Sequence, residues 1–422
     1  AASSLTERPS STCASTRYRA FSTGELPSFG VSYVLTQVSP MWWNRTPPSP
    51  LTRRTKIIAT VGPASRDGSV LERLIEAGAD VLRLNFSHAD AEWHAGAVDA
   101  IRAAAARAGR EVAILGDTDG PDDLEWVDFA VEHEIDLLAI SFVSSVADVE
   151  RAAERLRALR SDIPLIAKIE KPEAAEAAEE IVRAASSGIM VARGDLGEQL
   201  PLAQVPVVQK RLIRAAGKQS KPSITATQML ASMVTAPRPT RAEVTDVANA
   251  IYDGTDAVML SEETAIGHHP VEAVRVMDQI ALATEPDLRY GEWLFTRTDQ
   301  ATQDVADSVA QGAVGAVYRL GLKALLVPTT SGRTARLVSA HRPKVPVLAI
   351  SPRIETVRRL GLLFGVTAVL SDYETEVRGL LDGCAEIAAR HGIAESGDLI
   401  AITAGLPEQE LGTNLFEVHR VP

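Results

Sequence analysis

The sequence predicts an α/β protein in which a (β/α)₈ TIM barrel is followed by a smaller C-terminal α/β domain. From Thr55 onward, short β-branched or apolar runs alternate with longer helical segments, the pattern of βα units on a parallel sheet. Eight such units fill about 230 residues, a size typical of a closed barrel. The alternation resumes beyond residue 298, which predicts the second domain.

Each predicted element follows from its local pattern. The predicted strands are Lys56–Val61, Asp80–Asn85, Val112–Asp117, Leu137–Phe142, Leu165–Ile169, Ile189–Ala192, Ser223–Ala226 and Ala257–Leu260. Apolar residues at intervals of three and four predict the helices Leu71–Ala77, Ala91–Ala108, Leu124–His133, Val146–Leu159, Ala174–Ala185, Val207–Gln219, Arg241–Tyr252 and Val271–Ala283. A doubly wound open sheet has the same alternation and remains the alternative at this point.

Composition excludes several classes of protein. The 43 basic and 55 acidic residues give a net charge of −12, which argues against a broad surface for nucleic acid or anionic lipid. The two cysteines, Cys13 and Cys384, lie far apart and indicate neither a disulfide framework nor a thiolate metal cluster. No apolar run reaches the length of a membrane span, so we expect a cytoplasmic protein.

The first 52 residues differ from the rest of the chain. Ser, Thr and Pro are frequent and no apolar period persists, which predicts a disordered or non-native N-terminal extension. An organelle transit peptide is the alternative, because arginines occur among hydroxyl residues with few acids. The predicted domains are therefore the extension (1–52), the barrel (53–297) and the C-terminal domain (298–422).

Polar side chains are concentrated where the predicted barrel strands end. Loops at these carboxyl ends converge on one face of a barrel, which is where barrel enzymes carry their active sites. Any one of these residues could instead cap a helix, but carboxylates, a lysine and an arginine on one face together indicate an active site. The residues are Thr60, Arg83, Asn85, Ser87, His88, Asp117, Thr118, Asp119, Ser141, Lys168, Glu170, Arg193, Asp195, Thr225, Thr227, Ser261, Glu262 and Glu263.

Lys168 and Glu170 are two residues apart on one strand and therefore project to the same face. One interpretation is a buried ion pair, in which Glu170 or Asp195 neutralises the lysine. The other is a Mg²⁺ site, in which Glu170 and Asp195 are hard oxygen ligands and Lys168 is a point charge for a transferring phosphoryl group.

Two further sets of residues border the same face. Gly194 and Gly197 flank a turn into a helix, where backbone amides can receive an anionic group, although an ordinary glycine turn explains them too. Arg83 is a second cation at this face. A set of oxygen donors with one full charge suits a monovalent cation better than Mg²⁺, and it consists of Asn85, Ser87, Asp117 and Thr118.

At these residues the sequence resembles the pyruvate kinase family, over roughly residues 54 to 422. Many ordered motifs carry the resemblance, which makes it specific. They are Thr55-Lys56-Ile57-Ile58-Ala59-Thr60-Val61-Gly62-Pro63-Ala64-Ser65, Arg83-Leu84-Asn85-Phe86-Ser87-His88, Ser141-Phe142-Val143, Ala167-Lys168-Ile169-Glu170, Gly188-Ile189-Met190-Val191-Ala192-Arg193-Gly194-Asp195-Leu196-Gly197, Thr225-Ala226-Thr227-Gln228-Met229-Leu230, Pro239-Thr240-Arg241-Ala242-Glu243 and Asp246-Val247-Ala248-Asn249-Ala250.

The resemblance implies transfer of a phosphoryl group from phosphoenolpyruvate to ADP, giving pyruvate and ATP. It also implies that Glu170 and Asp195 bind Mg²⁺, that Lys168 and Arg83 contact the phosphoryl group, and that Thr227 lies near the route by which the enolate is protonated. The backbone of Ala192, Arg193 and Gly194 would meet the substrate carboxylate, and His88 would border the nucleotide. The residues implied for K⁺ are Asn85, Ser87, Asp117 and Thr118.

The C-terminal domain contains a second candidate site. A hydroxyl-rich loop follows its first predicted strand, Ala324–Pro328, and comprises Thr329, Thr330, Ser331, Gly332, Arg333 and Thr334. Hydroxyls and backbone amides before a helix suit a phosphate, while a plain capped turn is the alternative. The resemblance implies a phosphorylated allosteric effector at this loop and assembly of the chain into a homotetramer.

The sequence departs from the family pattern after the third predicted strand. Family members carry a β-rich lid of about a hundred residues there, whereas here Asp117 leads within a few residues to the helix at Leu124. Asp119 stands where the family usually has lysine, and Glu262 replaces a glycine. A closing lid excludes water and completes a nucleotide site, so its absence predicts slower transfer to ADP and competition by water.

Three hypotheses for function follow. The first is a phosphotransferase of the pyruvate kinase type. The second is a regulatory relative that binds phosphoenolpyruvate or pyruvate without turnover. The third is another reaction at the same metal site, either hydrolysis of phosphoenolpyruvate or decarboxylation of a 2-oxo acid.

Overall fold

The structure of the protein is a computed structural model that describes residues 53–296, 304–373, 376–405 and 412–422, apart from the side chain of Phe295. The predicted N-terminal extension and the predicted boundary between residues 297 and 298 lie outside the described residues. Both stay predictions.

Eight parallel strands form a closed barrel, as predicted. β1 pairs with β8 as well as with β2, which excludes the open sheet. The strands are β1 (Lys56–Thr60), β2 (Val81–Asn85), β3 (Ala113–Asp117), β4 (Leu137–Ile140), β5 (Leu165–Ile169), β6 (Ile189–Ala192), β7 (Ser223–Ala226) and β8 (Ala257–Leu260). Predicted and observed bounds differ by two residues at most, the largest difference being at β4, where Ser141 and Phe142 leave the sheet.

The helices surround the barrel. They are α1 (Gly68–Glu76), α2 (Ala91–Ala108), α3 (Leu124–Glu132), α4 (Val146–Ala158), α5 (Pro172–Glu176), α6 (Ala178–Ala184), α7 (Arg193–Gln199), α8 (Val205–Lys218), α9 (Arg241–Tyr252), α10 (Glu262–Ala265), α11 (Pro270–Thr284) and α12 (Tyr290–Thr296). The prediction of one helix over 174–185 was wrong, because Ala177 ends α5 and begins α6. None of the described helices combines the length and apolarity that crossing a membrane requires.

Apolar side chains fill the interior of the barrel in layers. Ile58, Leu115, Ile166 and Met190 come from different strands and are completely buried in one cluster. Leu362, from the C-terminal domain, belongs to the same cluster. The second domain therefore helps to close the N-terminal end of the barrel, opposite the face where the polar strand ends lie.

The C-terminal domain has a five-stranded sheet in the order β11-β10-β9-β12-β13, with only β13 antiparallel to its neighbour. Its strands are β9 (Leu325–Pro328), β10 (Val347–Ser351), β11 (Val366–Leu370), β12 (Leu399–Ala404) and β13 (Leu415–Arg420). Its helices are α13 (Val305–Leu320), α14 (Arg333–Ala340), α15 (Ile354–Arg359) and α16 (Val377–Arg390).

Arg342 attaches this domain to the barrel. Its side chain is fully buried, and Nη1 donates to Asp256 Oδ1 over 2.8 Å just before β8. The guanidinium lies 4.2 Å from the centre of the Phe364 ring. Beside it, Lys56 Nζ donates to the carbonyl oxygen of Val366 over 2.7 Å. The buried charges of Arg342 and Asp256 are thus paired across the contact.

Gly188, which precedes β6, allows the close approach of two strands. Its φ is +91°, and an added Cβ would lie 1.9 Å from the carbonyl oxygen of Pro222. We expect Gly188→Ala to lower the free energy of unfolding by about 3 kcal/mol or more, because backbone strain and overpacking act together. Chemical denaturation measures the change.

Gly109→Ala is the matched control. Gly109 also has a positive φ, +62°, but an added Cβ there would meet nothing within 4 Å. This variant should lose only about 1 kcal/mol, the cost of the left-handed backbone. Equal losses in the two variants would contradict the steric argument.

Candidate active site

The carboxyl ends of the barrel strands form one face, the rim. Asp117 is the central acidic group of the rim. Its side chain is fully buried at the end of β3. Arg83 Nε donates to Asp117 Oδ2 over 2.6 Å, and Lys168 Nζ lies 3.1 Å from Oδ1. Burial would raise the pKa of Asp117, but the charges of Lys168 and Arg83 outweigh it and lower the pKa. Asp117 is therefore a carboxylate that holds two cations in place.

Lys168 is buried and bonded on three sides. Its Nζ donates to Ser141 Oγ over 2.6 Å and lies 2.9 Å from Glu170 Oε1, in addition to the contact with Asp117. Burial alone would lower the pKa of Lys168, but the carboxylates of Asp117 and Glu170 raise it. The side chain stays an ammonium group. Its second acidic partner is Asp117 and not Asp195, the alternative that the sequence had suggested.

Glu170 is 1% exposed. Besides the contact with Lys168, it accepts the Phe142 amide N–H over 2.5 Å. Burial raises the pKa of Glu170, so the carboxylate needs nearby positive charge to stay ionised. Phe142 has φ +52°, an uncommon backbone conformation for a non-glycine residue. This strained turn aims the amide at Glu170.

Asp195 lies in the first turn of α7 and is half-buried. Within the described residues its carboxylate has no hydrogen bond or ion pair, so its oxygens are available. The described part of the chain contains no group of three or more His, Cys, Asp or Glu arranged to hold a metal. Two carboxylates fit Mg²⁺, which commonly leaves its other positions to water and substrate oxygens.

The start of α7 follows β6 directly and is bonded to the turn after β7. The expectation that Gly194 and Gly197 flank a turn into a helix was wrong, because both glycines lie within α7. The Gly194 amide donates to Thr227 Oγ1 over 2.7 Å, and the Arg193 guanidinium donates to the carbonyl oxygens of Ala226 and Thr227. Arg193 also forms an ion pair with Asp246 at 2.7 Å. Thr227 has φ +68°. The Gly194 amide was expected to meet a substrate carboxylate. In this structure it is bonded to the Thr227 hydroxyl, two residues after Ala192 ends β6.

The four residues expected to hold K⁺ lie at or just after the ends of β2 and β3. Neither Asn85 nor the exposed Ser87 has a side-chain partner within the described residues. Thr118 Oγ1 donates to the carbonyl oxygen of Gly120 over 3.0 Å, and Asp117 is bonded to Arg83 and Lys168. Oxygen donors with one full charge fit a monovalent cation. His88 is exposed, and its carbonyl oxygen contacts His94 Nε2 at 2.7 Å.

Sequence reasoning missed how some rim residues act. Glu263 is 2% exposed and accepts the amides of Leu230 and Ser261, which fixes the loops after β7 and β8. Its position at a strand end was a usable signal. No such signal could have indicated the role of the Phe142 amide, because a positive φ at a phenylalanine leaves no recognisable pattern in the sequence.

The hydroxyl-rich loop of the C-terminal domain bonds largely to itself and to its neighbours. Thr329 Oγ1 accepts the Gly332 amide over 3.0 Å, and Gly332 has φ +80°. Thr330 contacts the Tyr373 hydroxyl at 2.9 Å, and Thr334 contacts Thr413 at 2.6 Å. Ser331 is exposed, and Arg333 forms an ion pair with Asp304. A phosphate site at this loop stays a prediction.

A closed parallel barrel whose rim brings an ammonium, a guanidinium and carboxylates together defines the class of the protein as a (β/α)₈-barrel enzyme. The sequence matches the family description "Pyruvate kinase, barrel domain" over residues 52–127 and 122–274. It matches "Pyruvate kinase, alpha/beta domain" over residues 307–419.

Similar proteins agree with these matches. A pyruvate kinase of Geobacillus stearothermophilus is 37% identical over 473 residues, covering 87% of this chain and 80% of the relative. Pyruvate kinases of Sporosarcina psychrophila and Staphylococcus aureus (strain MRSA252) are 34% and 35% identical with the same coverage. The chain belongs to the pyruvate kinase family.

Proposed function

We propose that this protein transfers the phosphoryl group of phosphoenolpyruvate to ADP, giving pyruvate and ATP, a step of glycolysis. Membership of the family supports the reaction. One observation of the site carries the proposal: the Lys168 ammonium is held between Asp117 and Glu170 at the rim, where a transferring phosphoryl group needs positive charge.

The proposed mechanism assigns the substrate phosphate to two cations. Lys168 and Arg83 are both oriented by Asp117, so their charges are in place before substrate arrives. Glu170 and Asp195 would hold Mg²⁺, which when bound supplies further positive charge to the substrate oxygens. Thr227 would lie beside the route by which the enolate gains its proton. The backbone of Ala192, Arg193 and Gly194, where β6 ends and α7 begins, would face the substrate carboxylate.

The proposal extends to the remaining ligands and to assembly. Asn85, Ser87, Asp117 and Thr118 would hold K⁺, and His88 would border the nucleotide. The loop from Thr329 to Thr334 would receive a phosphorylated effector. A homotetramer and a cytoplasmic location complete the proposal, by analogy with the family.

We also propose that the barrel lacks the family's inserted lid. Residues 118–123 alone connect β3 to α3. The alignment with the Geobacillus relative runs over 473 residues, more than the 422 of this chain, so part of the relative has no counterpart here. The two matches to the barrel description meet at residues 122–127, the same place. Without a lid, water has access to the phosphoryl group, and this favours hydrolysis as the second candidate function.

One assay separates the candidates. Purified protein is incubated with phosphoenolpyruvate, Mg²⁺ and K⁺, with and without ADP, while pyruvate and ATP are measured together. ATP formed in step with pyruvate supports the kinase. Pyruvate without ATP would indicate hydrolysis. Binding of phosphoenolpyruvate without any product would indicate a regulatory relative and contradict the proposed reaction.

A further inference from the structure

A cavity of about 180 Å³ lies between the barrel and the C-terminal domain. The last two residues of α8 and the first two of the turn that follows it, residues 217–220, form its barrel side. The start of α13 and one face of α14 form the other side. Of the predicted effector loop, only Arg333 lines the cavity, and no residue of the rim does.

Arg336 of α14 gives the cavity uncompensated positive charge. The two acids that line the cavity are already bonded, Asp304 to Arg333 over 2.7 Å and Asp307 to His341 over 3.1 Å. Arg336 has no ion pair or side-chain hydrogen bond within the described residues. Its pKa is lowered by burial and by the charge of Arg333. The guanidinium therefore lacks the acidic partner that half-buried arginines usually have.

A neighbouring lysine responds to the same positive field. Burial and the charges of Arg336 and Arg183 lower the pKa of Lys221 to about 8. Within the described residues the Lys221 ammonium donates to carbonyl oxygens at the end of α6 and has no ion pair. Lys221 is thus a second cation near Arg336 without an acidic partner.

His341 is a second unsatisfied group in the cavity wall. It is 3% exposed, and its Nε2 contacts Asp307. Its Nδ1 atom is buried without a hydrogen-bond partner within the described residues. A buried polar atom without a partner is costly unless a ligand or water satisfies it.

We propose that this cavity binds a small phosphate-bearing anion, with Arg336 as its main charged contact and Lys218 at its mouth. A guanidinium without a partner suits a phosphate because its donors match two phosphate oxygens. The anion would touch residues 217–220 of the barrel and helix α14 of the C-terminal domain at once. Its binding would therefore stabilise the contact between the two domains.

The test measures phosphate binding by isothermal titration calorimetry on the full chain, without phosphoenolpyruvate or Mg²⁺. Inorganic phosphate is titrated in one series and methyl phosphate in a second, and binding of either supports the proposal only where Arg336→Gln weakens it, because the rim and the loop from Thr329 to Thr334 are other candidate phosphate sites. We expect Arg336→Gln to weaken binding at least about tenfold, since one charge-assisted contact is lost. Lys218 is exposed and its Nζ lies 3.3 Å from Glu179 Oε1, so Lys218→Gln should weaken binding less than Arg336→Gln. This second variant keeps the test valid if the first one folds poorly.

Two controls locate the binding. Arg319→Gln makes the same charge change on the exposed surface of α13 and should leave the affinity unchanged. Lys168→Met removes an active-site cation, so binding retained in that variant supports a site away from the rim. The proposal fails if neither anion binds at millimolar concentration, or if Arg336→Gln and Arg319→Gln bind alike. Neither outcome depends on whether the protein is a kinase.

Discussion

Replacing Asp195 by asparagine is expected to lower kcat by about a thousandfold or more while the fold stays intact. The expected loss is large because the variant removes one of the two carboxylates proposed for Mg²⁺, and a catalytic metal contributes several kcal/mol. The fold should survive because the Asp195 carboxylate has no hydrogen bond or ion pair within the described residues. Steady-state kinetics over a range of Mg²⁺ concentrations measure the effect.

Glu198→Gln is the matched control. Glu198 lies on the same short helix, α7, and is exposed, and the change removes one carboxylate charge in the same way. It should leave kcat close to that of the unmodified protein. Unchanged turnover in Asp195→Asn would remove this residue from the mechanism, whereas loss in both variants would indicate a general effect of charge on α7.

Lys168→Met is expected to lower kcat by about a hundredfold to a thousandfold, the range for removal of one pre-oriented charge from a transition state. The variant also leaves Glu170 without its cation, while Asp117 keeps Arg83. The free energy of unfolding should therefore fall. Mg²⁺ binding should survive, because the metal, when bound, would supply the positive charge that Glu170 then lacks. Turnover, Mg²⁺ affinity and chemical denaturation are measured on the same preparation.

Lys171→Met is the control that tests whether the loss of any lysine at the rim lowers kcat. Lys171 Nζ donates to Ser144 Oγ over 2.9 Å and is not part of the group around Asp117. Its removal should change kcat little. A Lys168→Met variant that retains full turnover at a substrate concentration well above KM would overturn the assigned role of Lys168.

Much of the fold was predictable because hydrophobic periodicity carries it. β5, β6, β7 and β8 have the bounds that their apolar runs predict. The short helices α7 and α10 were not predicted, since four to seven residues give too few turns for a period to show. The break at Ala177 was missed for a similar reason, because apolar residues continue through it.

The site was predictable where chemistry depends on spacing along one strand. Lys168 and Glu170 were expected on one face, and their side chains meet. The role of Asp117 was not predictable from spacing, because it depends on the register between β2 and β3. That register pairs Arg83 with Leu115 and so brings the arginine beside Asp117.

The buried contact of Arg342 makes the stability of the barrel depend on the C-terminal domain. Separating them would leave the buried Asp256 without its guanidinium and remove Leu362 from the barrel interior. The C-terminal domain thus supplies part of the barrel's core, and an isolated barrel would be an incomplete folding unit. The barrel and the C-terminal domain are best regarded as one cooperative folding unit that contains two sheets.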